Sequence, residues 1–234
     1  MGLRSSPKYL TFDVFSVLFD WESTLAPLVR EMLKGESKAV NISTFLQTWR
    51  RKQLEYTYIS TMLGKGHVRF ETLTRRAVEY SLRLFQIRAH QDRVTELVDV
   101  WGKLEAFPEV NEALVELKKR YPMAMLSNGD DAVLKRLAAR LRIEFDAIIS
   151  GDVAGAYKPH PGIYLKAVEQ TGHDSSSIMH VAGSGLDVIG AKAAGLSAAW
   201  VNRKRAPMDD WDHVPDLEVR DLQELSDILL ARSS

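Results

Sequence analysis

YLTFDVFSVLFDWES, residues 9–23, contains an apolar run that ends at Asp13 and a second apolar run that starts at once. Short apolar runs bounded by polar or turn residues read as buried strands. Here the strand closes on a carboxylate, and the next position but one is Phe15, not a second acid. Four further runs have the same character: PMAMLSN at 122–128, FDAIIS at 145–150, IMHVAG at 178–183 and SAAWVN at 197–202.

Helical periodicity fills the intervals. Val110, Ala113, Leu114 and Leu117 follow the i, i+3, i+4, i+7 rule, as do Val133, Leu134, Leu137, Ala138 and Leu141. Ile163, Tyr164, Ala167 and Val168 form a third stripe with Gly172 as its C-terminal stop. A fourth helix is expected from about Leu186 to Gly195, and a fifth on Leu222, Leu225, Ile228 and Leu229. Strands alternating with helices predict an α/β fold with a doubly wound, Rossmann-like parallel sheet.

The segment before residue 105 differs. STLAPLVREML, STFLQTWRRKQLEYTYISTML, FETLTRRAVEYSLRLF and HQDRVTELVDVWG all read as helices, with a turn at GKGH, 64–67, and no convincing strand. The expected organisation is therefore a core domain of residues 1–20 and 106–234, with a helical cap of residues 21–105 inserted after the first strand. Insertions of this kind can close over a site at the strand ends.

Bulk composition narrows the function. The 234 residues are 45% hydrophobic, enough for one large domain or a domain carrying a smaller one. With 31 basic and 31 acidic residues the net charge is zero, so no overall field draws in nucleic acid or an anionic membrane. The clusters RRK around position 51 and RKR from 203 are expected to be solvated surface. Cysteine is absent, which excludes disulfides and thiolate metal sites and fits a cytoplasmic protein. No signal core or membrane-length apolar window is present. Gly2 with Ser6 matches the loose myristoylation pattern, which is short enough to arise by chance.

Open α/β sheets bind ligands outside the carboxyl ends of their strands. Those ends carry Asp13, then Ser127 and Asn128, then Lys158, then Ser184 and Asp187. Each has a plain alternative: a strand-end Asp can serve a turn, SNGD is good turn chemistry, a lysine before proline is commonly exposed, and Asp187 can simply start a helix. Their occurrence in order around one predicted crevice favours a site.

FDVFSVLFD, LSNG, YKPHPGIY and HVAGSGLDVIGAKAAGL resemble, in order and spacing, the four motifs of the haloacid dehalogenase superfamily. TWRRKQLEYTYISTML and AAWVNR resemble its L-2-haloacid dehalogenase branch, and the helical insertion resembles the superfamily's cap. The superfamily's phosphatases carry a second Asp where this chain has Phe15, and an acid of the fourth motif where it has Gly183. Asp13 and Asp187 alone are a poor oxygen set for Mg²⁺. A halide leaves without a proton, so neither a second acid nor a metal is required, and no cofactor is expected.

The resemblance implies that Asp13 is a nucleophile that displaces halide from a small 2-halo acid, forming an ester that water then hydrolyses. It implies Lys158 beside Asp13, Asp187 as base or water-orienting group, Arg50 and Asn128 as halide donors, and Ser127 at the substrate carboxylate. Phe15, Tyr164 and Ser184 are expected as supporting binding residues, and a homodimer as the assembly. The chain departs from the branch at Ser16-Val17-Leu18, where Gly-Thr-Leu is usual, and at Ala182 and Ser184, where Ser and Asn are usual. Two other readings stay open: a hydrolase of another substrate, such as a Mg-dependent phosphatase, and a non-catalytic binding protein on the same fold.

Overall fold

The computed structural model describes residues 6–34, 40–209 and 211–231; Gly2 of the myristoylation pattern lies outside them. In chain order the strands are β1 (Tyr9–Phe12), β2 (Phe19–Asp20), β3 (Glu105–Ala106), β4 (Met123–Leu126), β5 (Ala147–Ile149), β6 (Ile178–Ala182), β7 (Ser197–Val201) and β8 (Leu217–Val219). The α-helices are α1 (Trp21–Met32), α2 (Ile42–Leu63), α3 (Phe70–Phe85), α4 (Gln91–Asp99), α5 (Val110–Lys118), α6 (Asp131–Ala138), α7 (Gly151–Ala154), α8 (Pro161–Thr171), α9 (Gly185–Ala193) and α10 (Leu222–Ala231).

Six strands form one parallel sheet in the order β5-β4-β1-β6-β7-β8. The chain runs from β1 outward through β4 and β5, then returns to β6 on the other side of β1. The strand order therefore reverses between β1 and β6, which is where such sheets bind ligands. β1 and β6 are buried along their whole length, as near-continuous apolar runs require, Thr11 and His180 being the buried polar exceptions.

The helical stripes face inward as their spacing predicts. Val110, Ala113, Leu114 and Leu117 of α5 are buried, as are Ile163, Tyr164 and Ala167 of α8, which ends at a left-handed Gly172. Helix α6 stops at Ala138, so Leu141 lies beyond it, and α9 stops at Ala193, short of Gly195. Among the described residues of 24–105 the regular elements are helices joined by turns, except at the very end, where Glu105 enters an antiparallel pair, β2 with β3. A two-residue strand carries no period to read. β8 and α7, three and four residues long, were likewise not expected.

Helices α1–α4 meet the core at Phe15, in the turn after β1, and at Asp130, at the start of α6. Phe15 stacks on Phe70 with ring centroids 5.5 Å apart and meets Trp101 edge-on at 5.1 Å. Asp130, buried at the start of α6, accepts the N–H groups of Phe70 and Glu71 at 2.8 Å each. It thereby satisfies the first turn of α3, which has no side-chain cap of its own.

Candidate functional site

Asp13 follows β1 directly, and its backbone N–H still donates to Val181 of β6 at 2.9 Å. The ladder thus aims its carboxylate over the β1–β6 crevice. The turn beyond needs a left-handed residue at Ser16, with φ of 79°. Glycine adopts this conformation without strain. Here the Ser16 hydroxyl accepts from Trp21 Nε1 at 3.0 Å, which helps to hold the turn. Val17 is fully buried, and its Cγ2 would lie 3.1 Å from a Cβ at Gly183.

Three strand ends converge on one ammonium. Lys158 Nζ lies 3.0 Å from Asp13 Oδ1 and 2.9 Å from Asp187 Oδ2. The backbone N–H of Lys158 donates to Asn128 Oδ1 at 2.8 Å, so the Asn128 amide nitrogen is the end left for a ligand. Asp187 sits in the first turn of α9; Ser184 caps that helix, accepting from Asp187 N at 3.3 Å. Tyr164 donates to Asp187 Oδ1 at 2.7 Å. His180 Nε2 lies 3.0 Å from Asp187 Oδ2 and 3.2 Å from Lys158 Nζ, and its Nδ1 lies 2.9 Å from Thr11 Oγ1.

Shared surroundings push the two carboxylates apart. Burial opposes ionisation of Asp187, but His180 and Lys158 beside it overcome that cost and hold the group well below the carboxylate range. At Asp13, burial and the negative charge of Asp187 outweigh Lys158 and raise the pKa. Asp187 is therefore held as an anion among Lys158, Tyr164 and His180, with acceptor capacity to spare, and Asp13 is the more basic of the two. Burial also raises the Tyr164 phenol, aided by Asp187, so it remains a donor.

Arg50 faces this pair from α2. Its guanidinium carbon lies 5.3–5.8 Å from the rings of Phe15, Trp21 and Trp101. Its Nη1 donates to Gln53, Gln53 Nε2 donates to Thr74 Oγ1 at 2.6 Å, and Thr74 donates to Phe70 O at 2.8 Å. The buried stripe of α2 thus turns polar at Gln53 and Thr57 where it passes the site. Burial lowers the Arg50 pKa to about 10, against the pull of Asp13, so the group stays charged at neutral pH. With Asp13 and Asp187 ionised and Lys158 and Arg50 protonated, these four charges cancel.

These groups border a cavity of about 770 Å³. Asp13, Phe15, Arg50, Asn128, Lys158, Ser184 and Asp187 line it; Ser127 and Tyr164 do not. Tyr164 is fully buried behind Asp187. Ser127 is fully buried too, and its hydroxyl has no hydrogen-bond partner among the described residues. A Cβ at Gly183 would lie 3.2 Å from Asp13 Oδ2 and 3.3 Å from Phe15 O, so a side chain there would crowd Asp13.

The basic clusters are not simply solvated. Arg203 lies over the Phe107 ring at 3.7 Å, donates to Val17 O at 3.0 Å and pairs with Glu109. Arg50 and Arg203 depart from the surface expectation because aromatic faces cover them. Arg51, Lys204 and Arg205 are exposed as expected. His180 and Thr11 join the site although neither lies at a strand end. Their one signal was a histidine inside an apolar strand run, where a buried polar ring requires partners.

Known proteins resemble this chain in sequence and fold. The protein-family model described as haloacid dehalogenase-like hydrolase matches residues 9–195. Haloacetate dehalogenase H-2 of Moraxella sp. (strain B) is 32% identical, over 90% of this chain and 92% of its own. The (S)-2-haloacid dehalogenase of Pseudomonas sp. (strain YL) is 31% identical over 94% of each. The structure of L-2-haloacid dehalogenase from Xanthobacter autotrophicus with chloropropionic acid covalently bound superposes with a TM-score of 0.85 at 28% identity, covering 96% of this chain and 98% of that one.

Proposed function

Because the chain belongs to the haloacid dehalogenase-like hydrolase family, we propose that it hydrolyses short L-2-haloalkanoic acids to D-2-hydroxy acids and halide through an ester on Asp13. The observation that carries this reading is the setting of Phe15. The place of a second acid holds a ring packed between Phe70 and Trp101, with the Arg50 guanidinium 5.6 Å from its centroid. The site offers a departing group a positive charge and no carboxylic proton, which suits a halide.

In the first step an Asp13 oxygen attacks C2 in line with the carbon–halogen bond. The bonding pair leaves with the halide, which Arg50 and the Asn128 amide nitrogen receive. One displacement at carbon inverts C2. The turn after Asp13 holds the substrate carboxylate; Ser127, expected to share that role, is fully buried and outside the cavity lining, so it does not reach the substrate directly in this structure. In the second step water attacks the ester carbonyl carbon of Asp13. Lys158, already 3.0 Å from Asp13 Oδ1, stabilises the oxyanion. Asp187, depressed in basicity, orients the water and Lys158 rather than acting as a strong base. On collapse one proton of the attacking water passes to the departing 2-oxygen, which leaves as the hydroxy acid, and the other is released to solvent, restoring the Asp13 carboxylate.

The same residues fit Mg²⁺ poorly. Among the described residues no three acidic or histidine side chains are grouped to hold a metal. The Lys158 ammonium bridges Asp13 and Asp187, and a side chain at Gly183 would crowd Asp13. We further propose that α1–α4 act as a cap over the cavity, and that the protein is a cytoplasmic homodimer. Exposed Ile59, Met62 and Leu63 of α2 offer an apolar face for a second copy. No described helix is long and apolar enough to cross a membrane.

Halide release from L- and D-2-chloropropionate in EDTA tests the function. Release from the L-isomer alone, abolished by Asp13→Asn, is expected. Phosphate release from a phosphate ester with Mg²⁺, without halide release, would overturn the reading.

A further inference from the structure

His180 is a fully buried histidine in the middle of β6, paired in register with Thr11 of β1. It does not line the cavity, yet its ring edge touches both Asp187 and Lys158. A buried imidazole is costly unless both nitrogens are satisfied. The ammonium of Lys158 has donors only, and Asp187 is ionised. A bare Nε2 would set a lone pair against the Asp187 carboxylate at 3.0 Å. The arrangement without such a clash has Nε2–H donating to Asp187 Oδ2, while Lys158 gives its hydrogens to Asp13 and Asp187. Thr11 completes it at Nδ1, 2.9 Å away, since a hydroxyl can donate to a neutral ring or accept from a charged one.

We propose that His180 is a positioning residue whose Nε2–H locks Asp187, so that Lys158 stays at Asp13 after Asp13 has lost its charge to the ester. This inference rests on the dehalogenase reading of the same site. In the resting site two anions share the ammonium, and Asp13 helps to hold it. Once Asp13 is an ester, Asp187 is the remaining anion on Lys158. An Asp187 free to rotate would draw the ammonium away from the ester carbonyl just as negative charge develops there. Tyr164 pins Oδ1 from α8, and His180 pins Oδ2 from β6. Together they fix both oxygens from two rigid elements.

The consequence is selective: His180 matters more for ester hydrolysis than for ester formation. His180→Phe keeps a ring of similar size and removes the donor; His180→Gln keeps an N–H. With L-2-chloropropionate, His180→Phe is expected to give a rapid first equivalent of halide followed by turnover slowed at least roughly tenfold, the worth of one hydrogen bond to a charged group. Intact-mass analysis then finds the ester accumulating, and Gln restores turnover to within a few-fold of wild type. The acid limb of the hydrolysis step also moves to higher pH in the Phe variant. Asp187, faced by Lys158, Tyr164, Asp13, Tyr58 and His180, loses a donor that favours its ionised form.

Equal slowing of both steps, with Gln no better than Phe, would overturn the proposal and leave a packing role only. So would a Phe variant that turns over like wild type. Imidazole ¹⁵N NMR of the wild-type protein decides the arrangement without substrate and without reliance on either variant folding. Nε2 protonated, with or without Nδ1, is expected; an Nδ1–H tautomer with bare Nε2 overturns it. Absence of halide release from the wild type would sink the dehalogenase reading, while the NMR result would still decide His180.

Discussion

Lys158 Nζ lies 3.0 Å from Asp13 Oδ1, across 145 positions of the chain. Both side chains are largely shielded from water, and the same ammonium holds Asp187 at 2.9 Å. Lys158→Met leaves two carboxylates facing each other with no cation between them. Turnover should fall by about 10²–10³, the order seen for loss of one preorganised electrostatic group. The melting temperature should also fall at pH 7, with the deficit narrowing as acidification protonates Asp13; melts from pH 7 to pH 4 check this.

Asp13 itself should cost stability. Its folded pKa is raised, mainly by burial. A carboxyl raised on folding favours the folded state below its unfolded pKa, and that contribution is lost as pH rises through the folded value. Asp13→Asn should therefore abolish turnover yet melt higher than wild type at pH 7, with the gain shrinking in acid. Asp187 has the opposite sign: its contribution is full above the unfolded pKa and is lost as pH falls through the depressed folded value. Asp187→Asn should thus destabilise at pH 7, a contrast that differential scanning calorimetry resolves.

Phe15→Asp supplies the second acid that a phosphatase reading requires but buries it between Phe70 and Trp101. Loss of the ring alone should cost about 3–5 kcal/mol. The variant should unfold at clearly lower denaturant and gain no Mg-dependent phosphatase activity, because Gly183 still supplies no carboxylate. Phe15→Leu should cost less and retain part of the halide release.

Asp130→Ala removes the acceptor for Phe70 and Glu71 N–H. A loss of about 1–2 kcal/mol is expected for a missing helix cap. Hydrogen exchange should accelerate first at the start of α3, since that contact ties the inserted helices to the sheet.

Most of the sheet and the long helices are legible because burial marks a sequence, as a near-continuous apolar run in a buried strand and as a period in a helix. The first-strand run at Asp13 and the stripe Val110, Ala113, Leu114, Leu117 are the respective examples. Elements of two to four residues, such as β2, β3, β8 and α7, are too short to carry either. Asp13, Lys158 and Asp187 could be picked out as polar groups at strand ends. His180 and Thr11 lie inside strands, where period alone assigns them to the core. The Gln53–Thr74 contact depends on how α2 meets α3. Arg203 was misread because its partner Glu109 is 94 positions away, and charge clustering does not register the Phe107 ring that covers it.

The ester on Asp13 is the central claim, and a single turnover in H₂¹⁸O with enzyme in excess over L-2-chloropropionate tests it most directly. Water attack on the Asp13 carbonyl predicts that ¹⁸O enters the Asp13 carboxylate, found in the peptide containing residues 9–20, while the first hydroxy acid released carries unlabelled oxygen. Label found wholly in the first product, with Asp13 unlabelled, would mean that water attacks C2 directly and would contradict the account.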